Sequence, residues 1–270
     1  MTHTGLSDTA GRIAQNSVFA GFARAGYVMS GLVHLLIGYI AIRLAFGGGG
    51  NADQSGAMAE LANKPGGTIT LWVAGAAFVV MALWRLMEAF FGKASEPAAD
   101  SKKSEAFDRV KAFSLFAVYT GLAVTAFRFA HGSGRSSSSQ SVGLTARLMQ
   151  NTAGTIALVV GGLIIIAVGG YHVYKGATQN FLDDLRGTPS AFVRRLGTAG
   201  YIAKGLAVAA VGLLVILAAT ESDPNKSAGL DGAIKTLGAQ PFGFALLLVA
   251  GLGIITYGLY SFVMARSAKM

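Results

Sequence analysis

The sequence predicts an all-α polytopic membrane protein, with six transmembrane helices in three parallel two-helix repeats around a pseudo-threefold axis. Three observations carry this. The 270 residues are 53% hydrophobic and only 13% charged, with a mean hydropathy of +0.53, whereas a typical soluble domain is roughly one quarter charged. The apolar residues fall in blocks of about 20, the length of helix that crosses a hydrocarbon core about 30 Å thick. The chain is also similar to itself in three successive frames.

Residues 1–23 read as a polar or weakly amphipathic lead-in. The first apolar block starts too far in, and runs on too long, for a cleaved signal peptide. Spans are expected near 25–45, 69–91, 111–130, 153–175, 198–219 and 241–264. Backbone groups in lipid must be satisfied within the segment, so each span should be a helix. A short helical stretch is expected in the segment after each odd-numbered span.

"RAGYVMSGLVHLLIGYIAIRLAFG" from Arg24 aligns without a gap on "RVKAFSLFAVYTGLAVTAFRFAHG" from Arg109. It also aligns on "TAGYIAKGLAVAAVGLLVILAAT" from Thr198, placing Gly205 and Gly212 opposite Gly31 and Gly38. The second halves match too, from Gly56, Gly143 and, more loosely, Gly229. The repeats are therefore 24–92, 109–178 and 195–265. Two crossings return the chain to its starting side, so the copies share one orientation and a pseudo-threefold axis along the membrane normal. The expected body is a compact bundle or a ring of three hairpins. Ser30, His34 and Gly38 share one helical face, as do Ala199, Ala203 and Ala207. With Gly161-Gly162 and Gly169-Gly170, these small residues are expected to let helix backbones approach closely.

The helix pair in three copies, with Ala52-Asp53-Gln54, Gly56-Ala57-Met58, Leu61, Pro65, Gly67 and Trp84-Arg85 in the first, resembles the domain of unknown function 1206 family of bacterial membrane proteins. The resemblance covers residues 24 to 265 and implies the fold and a bacterial inner membrane, but no activity. Copies two and three depart from the pattern: "SSSSQSVGL" lacks the Asp-Gln pair, and "TYGLY" stands where Trp84-Arg85 would.

Thirteen Lys and Arg fall on the side of the termini, among them Lys93, Lys102, Lys103, Arg109, Lys175, Arg186, Arg194 and Arg195. Five fall on the other: Lys64, Arg135, Arg147, Lys226 and Lys235. The positive-inside rule then puts both termini in the cytoplasm. Basic residues also border acidic ones, as in "KKSEAFDRVK", so the net charge of +9 reads as solvated and orientation-setting, and no nucleic-acid partner is expected. The expected partners are the bilayer and either a second membrane protein or another copy of the chain.

Candidate site residues are few. His34 sits near the midplane of span one, where a polar ring is costly and therefore a site candidate. The competing reading is an imidazole that only bonds a neighbouring helix. Ser30 shares its face, and Lys204 occupies the position of Ser30 in the third copy, shallow enough to snorkel. At the cytoplasmic ends, Arg85 and Glu88 are three apart and can pair, and His172 and Lys175 occupy the corresponding stretch of span four. Trp84, Tyr171, Tyr174, Tyr257 and Tyr260 lie at a similar depth and read as an aromatic belt. Arg43 and Arg128 hold equivalent external positions, either as interfacial anchors or as two thirds of a basic ring.

His34 and His172 are the only conceivable pair of haem ligands within the spans. Their depths differ by about 9 Å when counted along each span, which argues against a shared iron. No cofactor or metal is expected, and no catalytic residues are assigned. With no cysteine, thiolate and disulfide chemistry are excluded. "GSGRSSSSQS" (132–141) reads as a flexible linker and "GGGGNADQ" as a weak phosphate-loop candidate. Three functions are expected in descending order: a non-enzymatic structural or accessory membrane protein, a small-solute or ion transporter with its path on the axis, and a haem- or quinone-binding redox protein.

Overall fold

The computed structural model describes residues 17–91 and 102–269; the sequence features at 1–16 and 92–101 lie outside them. The described chain forms nine α-helices: α1 (Ser17–Ala45), α2 (Gln54–Ala62), α3 (Gly67–Phe91), α4 (Lys102–Ala130), α5 (Ser137–Leu148), α6 (Thr152–Ala177), α7 (Ala191–Thr220), α8 (Gly229–Gly238) and α9 (Gly243–Ser267). All six expected spans are present as α1, α3, α4, α6, α7 and α9, each long and apolar enough to cross a membrane. The short helices α2, α5 and α8 fill the loops after each odd-numbered span.

Helices α1, α4 and α7 extend seven to nine residues ahead of their apolar blocks, because loss of hydrophobicity alone does not end a helix. Ser190, following Pro189, accepts the Val193 N–H and starts α7 well ahead of residue 198. Asp53 caps α2 through the Gly56 N–H, and Asn151 caps α6 through the Gly154 N–H.

The tightest packing is between repeats, not within the expected hairpins. Helix α9 packs on α1, α3 on α4, and α6 on α7, so each repeat hands its second helix to the first helix of the next. Glycines make this possible. A Cβ at Gly38 would lie 2.6 Å from the Gly251 carbonyl oxygen, and one at Gly31 3.0 Å from that of Gly258. The α6–α7 pair repeats this with Gly169 against Gly205 and Gly162 against Gly212. In both pairs the glycines recur every seven residues, which keeps them on the seam of two nearly antiparallel helices. Gly161 and Gly170 meet nothing, so only one member of each double glycine serves the contact. In the third pair, Gly75 lies under the Phe127 ring, and α4 carries Phe116 and Ala123 where the other first helices have glycine.

The ring is not evenly closed. Helices α7 and α9 pack well, with Gly253 against the Ala203 Cβ and Gly200 against the Tyr257 backbone. Helices α4 and α6, the two spans of repeat two, scarcely touch. Only 17% and 22% of their apolar windows are buried, against 39% for α1 and α3. At the end carrying the termini, Arg186 donates its N–H to the Ser267 carbonyl and Lys269 donates to that of Asp184, which ties the C-terminal strand of chain to the α6–α7 loop.

Candidate functional site: a chamber on the axis

Four spans and the loop helices enclose a cavity of about 320 Å³. His34 and Ile37 of α1, Ile165 of α6, Lys204 and Ala207 of α7, and Tyr257 of α9 are among its walls.

The loop end is a buried polar knot to which all three repeats contribute. Asp53 is 2% exposed and Asp231 3%. One Asp53 oxygen accepts from the Ser55 hydroxyl at 2.6 Å and the Gly56 N–H at 2.8 Å, and the other accepts from the Ser138 hydroxyl at 3.1 Å. Asp231 accepts from the Ala52 N–H at 2.8 Å and from Lys235 at 2.7 Å. Each buried carboxylate is thus met by several donors, the condition under which burial of such groups is tolerable. The serine run that reads as a linker is in fact the first turn of α5: the Ser137 N–H donates to Ser55, and Ser138 reaches both aspartates. Its residues favour caps and turns and are held here by partners distant in sequence.

At the other end Tyr257 lines the cavity, and behind it further aromatic rings pack together without lining it. Phe181 stacks on Tyr201 with centroids 5.2 Å apart, and Tyr260 meets both rings edge-on. Tyr260 is 1% exposed and Tyr257 partly buried, while Tyr171 and Tyr174 are 57% and 58% exposed. Tyr257 and Tyr260 are therefore interior wall and packing residues rather than belt residues, while Tyr171 and Tyr174 face outward. The signal in the sequence was spacing: Tyr257 lies four residues after Gly253 and so shares the face that packs on α7.

His34 and Lys204 meet at Tyr257. The His34 Nδ1 is 2.7 Å from the Ser30 carbonyl, and its ring lies 4.7 Å from that of Tyr257. Lys204 donates to the Tyr257 hydroxyl at 2.7 Å, and its ammonium is 4.2 Å from the ring centroid. Ser30 contributes its backbone carbonyl to this group. The Lys204 side chain is bonded inward to Tyr257, and the adjacent Ala203 faces Gly253, near the middle of α9. Among the described residues no carboxylate pairs with this ammonium. A charge near the bilayer centre costs about 2.5–3.5 kcal/mol on insertion scales, and a cation–π contact returns about 0.5–2 kcal/mol. Two of the three ammonium donors have demand left over.

His34 and His172 stand at the ends of an aromatic row: His34, Tyr257, Tyr201, His172, with successive centroids 4.7, 5.5 and 6.1 Å apart. Two phenol rings stand between them, and each Nδ1 is bonded to a backbone carbonyl of its own helix.

The end cluster resolves into two sets. Arg85 and Trp84 both donate to Glu88, at 2.5 and 2.9 Å, and Lys175 pairs with Asp184 at 2.6 Å beside the Tyr201 ring. Arg43 pairs with Glu60 of α2 at 2.6 Å. The glycine-rich turn wraps it, with Gly48 against its side chain and Gly50, at φ +139°, against its guanidinium. Arg128 is exposed at the end of α4. No group of three or more His, Asp or Glu gathers as metal ligands among the described residues.

These features define a class: a multi-pass helical membrane protein of three parallel repeats around a polar chamber. The family described as Domain of Unknown Function (DUF1206) matches residues 25–92, 110–179 and 199–268, and the chain belongs to it. It is 30% identical over 246 residues to the "Uncharacterized protein YxxB" of Bacillus subtilis (strain 168), covering 89% of this chain and 88% of that protein. No solved structure matches.

Proposed function

We propose that this is a non-enzymatic protein of the bacterial cytoplasmic membrane, with both termini in the cytoplasm, that binds a lipid-soluble small molecule in its axial chamber. The observation that carries the reading is where the chamber is closed and where it is not. The aspartate–serine knot caps one end, and at the other Tyr257 backs onto the tyrosine–phenylalanine packing. No α3 or α4 residue lines the chamber, and on that side it shares Gln54, Ser137 and Ser141 with a second cavity of about 330 Å³ whose outer wall is α4. Helices α4 and α6, which scarcely touch, each wall one of the two cavities, Ile165 the first and Val118, Leu122 and Thr125 the second. Two closed ends and a loose side favour lateral access from the bilayer over a path through it. The polar groups are engaged with one another, His34 on Ser30 and Lys204 on Tyr257, which suits holding a ligand more than transforming one.

The test is mass spectrometry of small molecules released from protein extracted in its native membrane. A defined species is expected from the wild type and is expected to vanish in Ala207→Trp, which fills the chamber, at unchanged helical content. The same load in that variant defeats the reading. Orientation is tested separately, and simply, because the chain has no cysteine. An impermeant maleimide should label Ser133→Cys on intact cells and Thr188→Cys only after permeabilisation, and the reverse pattern inverts the topology.

A further inference from the structure

We infer that the occupant of the chamber is a single-chain amphiphile with an anionic head group, seated with its head on Lys204 and Tyr257 and its chain in the groove between α7 and α9. This rests on the chamber reading above and adds the ligand's chemistry to it.

The head group follows from charge. Lys204 is the cation of the chamber, its partner is a neutral phenol, and it stands at mid-span. The negative charge at the opposite end is already answered. Asp53 accepts three hydrogen bonds and sits at the N-terminus of α2, where a helix favours an anion, and Asp231 pairs with Lys235. An incoming carboxylate or phosphate monoester would find two free ammonium donors at Lys204. A cationic or neutral head would find no such unmet partner.

The chain follows from shape. A second cavity of about 290 Å³ runs between α7 and α9 beneath α8 and shares Ala207, Leu230 and Ile254 with the chamber. Alanines make it: Ala203, Ala207 and Ala210 on one wall and Ala250 on the other. Its rim residues Leu206 and Val249 are 60% and 71% exposed, so the groove is continuous with the lipid-facing surface. It is a narrow apolar volume beside the chamber, of the order of a single alkyl chain and open along one side to lipid.

The experiment uses the full-length protein in nanodiscs of zwitterionic lipid and measures saturable binding of four 16-carbon probes: hexadecanoate, hexadecyl phosphate, hexadecanol and hexadecyltrimethylammonium. At least one anionic probe is expected to bind about tenfold or more tighter than the alcohol, the gain from a hydrogen bond to a charged group. Which anion wins separates a carboxylate from a phosphate head. Lys204→Met should reduce the preferred anion to the level of the alcohol while leaving the alcohol unchanged, and Lys204→Arg should keep most of the preference. Alcohol binding equal to that of both anions, or an anion preference untouched by Lys204→Met in a folded variant, overturns the anionic class but leaves the chamber standing. Saturable binding unaffected by Ala207→Trp removes the site altogether, as does no saturable binding of any probe.

Discussion

The glycine seams allow the fold to be tested with adjacent residues. A Cβ at Gly169 would stand 2.6 Å from both the Ala209 nitrogen and the Gly205 carbonyl oxygen, backbone atoms that cannot rotate away. To restore ordinary contact near 3.4 Å, α6 and α7 must part by about 0.8 Å (3.4 − 2.6) along a face where they otherwise touch throughout. Overpacking of this kind typically costs about 1–3 kcal/mol. Gly170, one residue on, has nothing within 4 Å. Both positions gain about 1 kcal/mol of helix propensity on becoming alanine, so that gain cancels in a comparison. Gly169→Ala should therefore be less stable than Gly170→Ala by about 1–3 kcal/mol, measured by unfolding in mixed detergent micelles and followed by circular dichroism. The double variant Gly169→Ala, Gly205→Ala should cost less than the sum of its parts, because both changes push the same two helices apart. If Gly169→Ala and Gly170→Ala unfold together, α6 does not meet α7 on this face and the packing described here is wrong.

Three further outcomes follow from the chamber and its ends. Asp53→Ala removes a helix cap worth about 1 kcal/mol, leaves the Ser55 hydroxyl without its charged acceptor and leaves Ser138 only its longer bond to Asp231. A loss above about 2 kcal/mol is expected, and a loss no larger than that of Asp223→Ala, whose cap is exposed, would count against the knot. Arg43→Ala should speed hydrogen exchange in 54–62 by freeing α2 from Glu60, whereas Arg128→Ala should leave that segment unchanged; equal effects would show that the Arg43 pair does not hold the loop. His34→Phe keeps a ring against Tyr257 and gives up one bond to a carbonyl of its own helix, so stability within about 1 kcal/mol of wild type is expected. A greater loss would mean the imidazole ties α1 to a neighbour.

The spans, their number and the threefold repeat were legible because lipid imposes one rule on every residue in it: apolar outside, backbone bonded within. The helix partners were not, because a glycine declares close approach but not the helix it approaches. Gly38 could serve a hairpin with α3 as well as its actual contact with α9. Depth was harder to read as well: a capped helix such as α7 runs past its apolar block, so counting from the edge of that block understates how far along the helix Lys204 stands. Of the candidate site, His34 and Lys204 were marked by the cost of placing polar groups in hydrocarbon. Tyr257 was hidden by its amphipathic chemistry, which suits a belt as well as a wall. The Ser137–Ser138 turn was hidden by composition, since only Asp53 and Asp231, 85 and 93 positions away, give those serines a reason to be ordered.

The repeat bears on function through the places where its copies disagree. Positions that pack are shared: Gly75, Gly162 and Gly251 are equivalent, as are Gly38 and Gly212. Positions that line the chamber are not. His34 corresponds to Tyr119 and Val208, and Lys204 corresponds to Ser30 and Leu115. Each polar group is thus supplied by one copy alone, and a symmetric frame encloses an asymmetric site. The loose side falls in the same repeat. In repeat two the first helix carries Phe116 and Ala123 in place of both seam glycines, and α4 packs on α3 while scarcely touching α6. A structural assembly would gain nothing from one weakened contact beside one polarised cavity. A chamber that takes its ligand from the membrane needs both, a charged group that a single orientation of the ligand can satisfy and a wall that can yield without disturbing the other two.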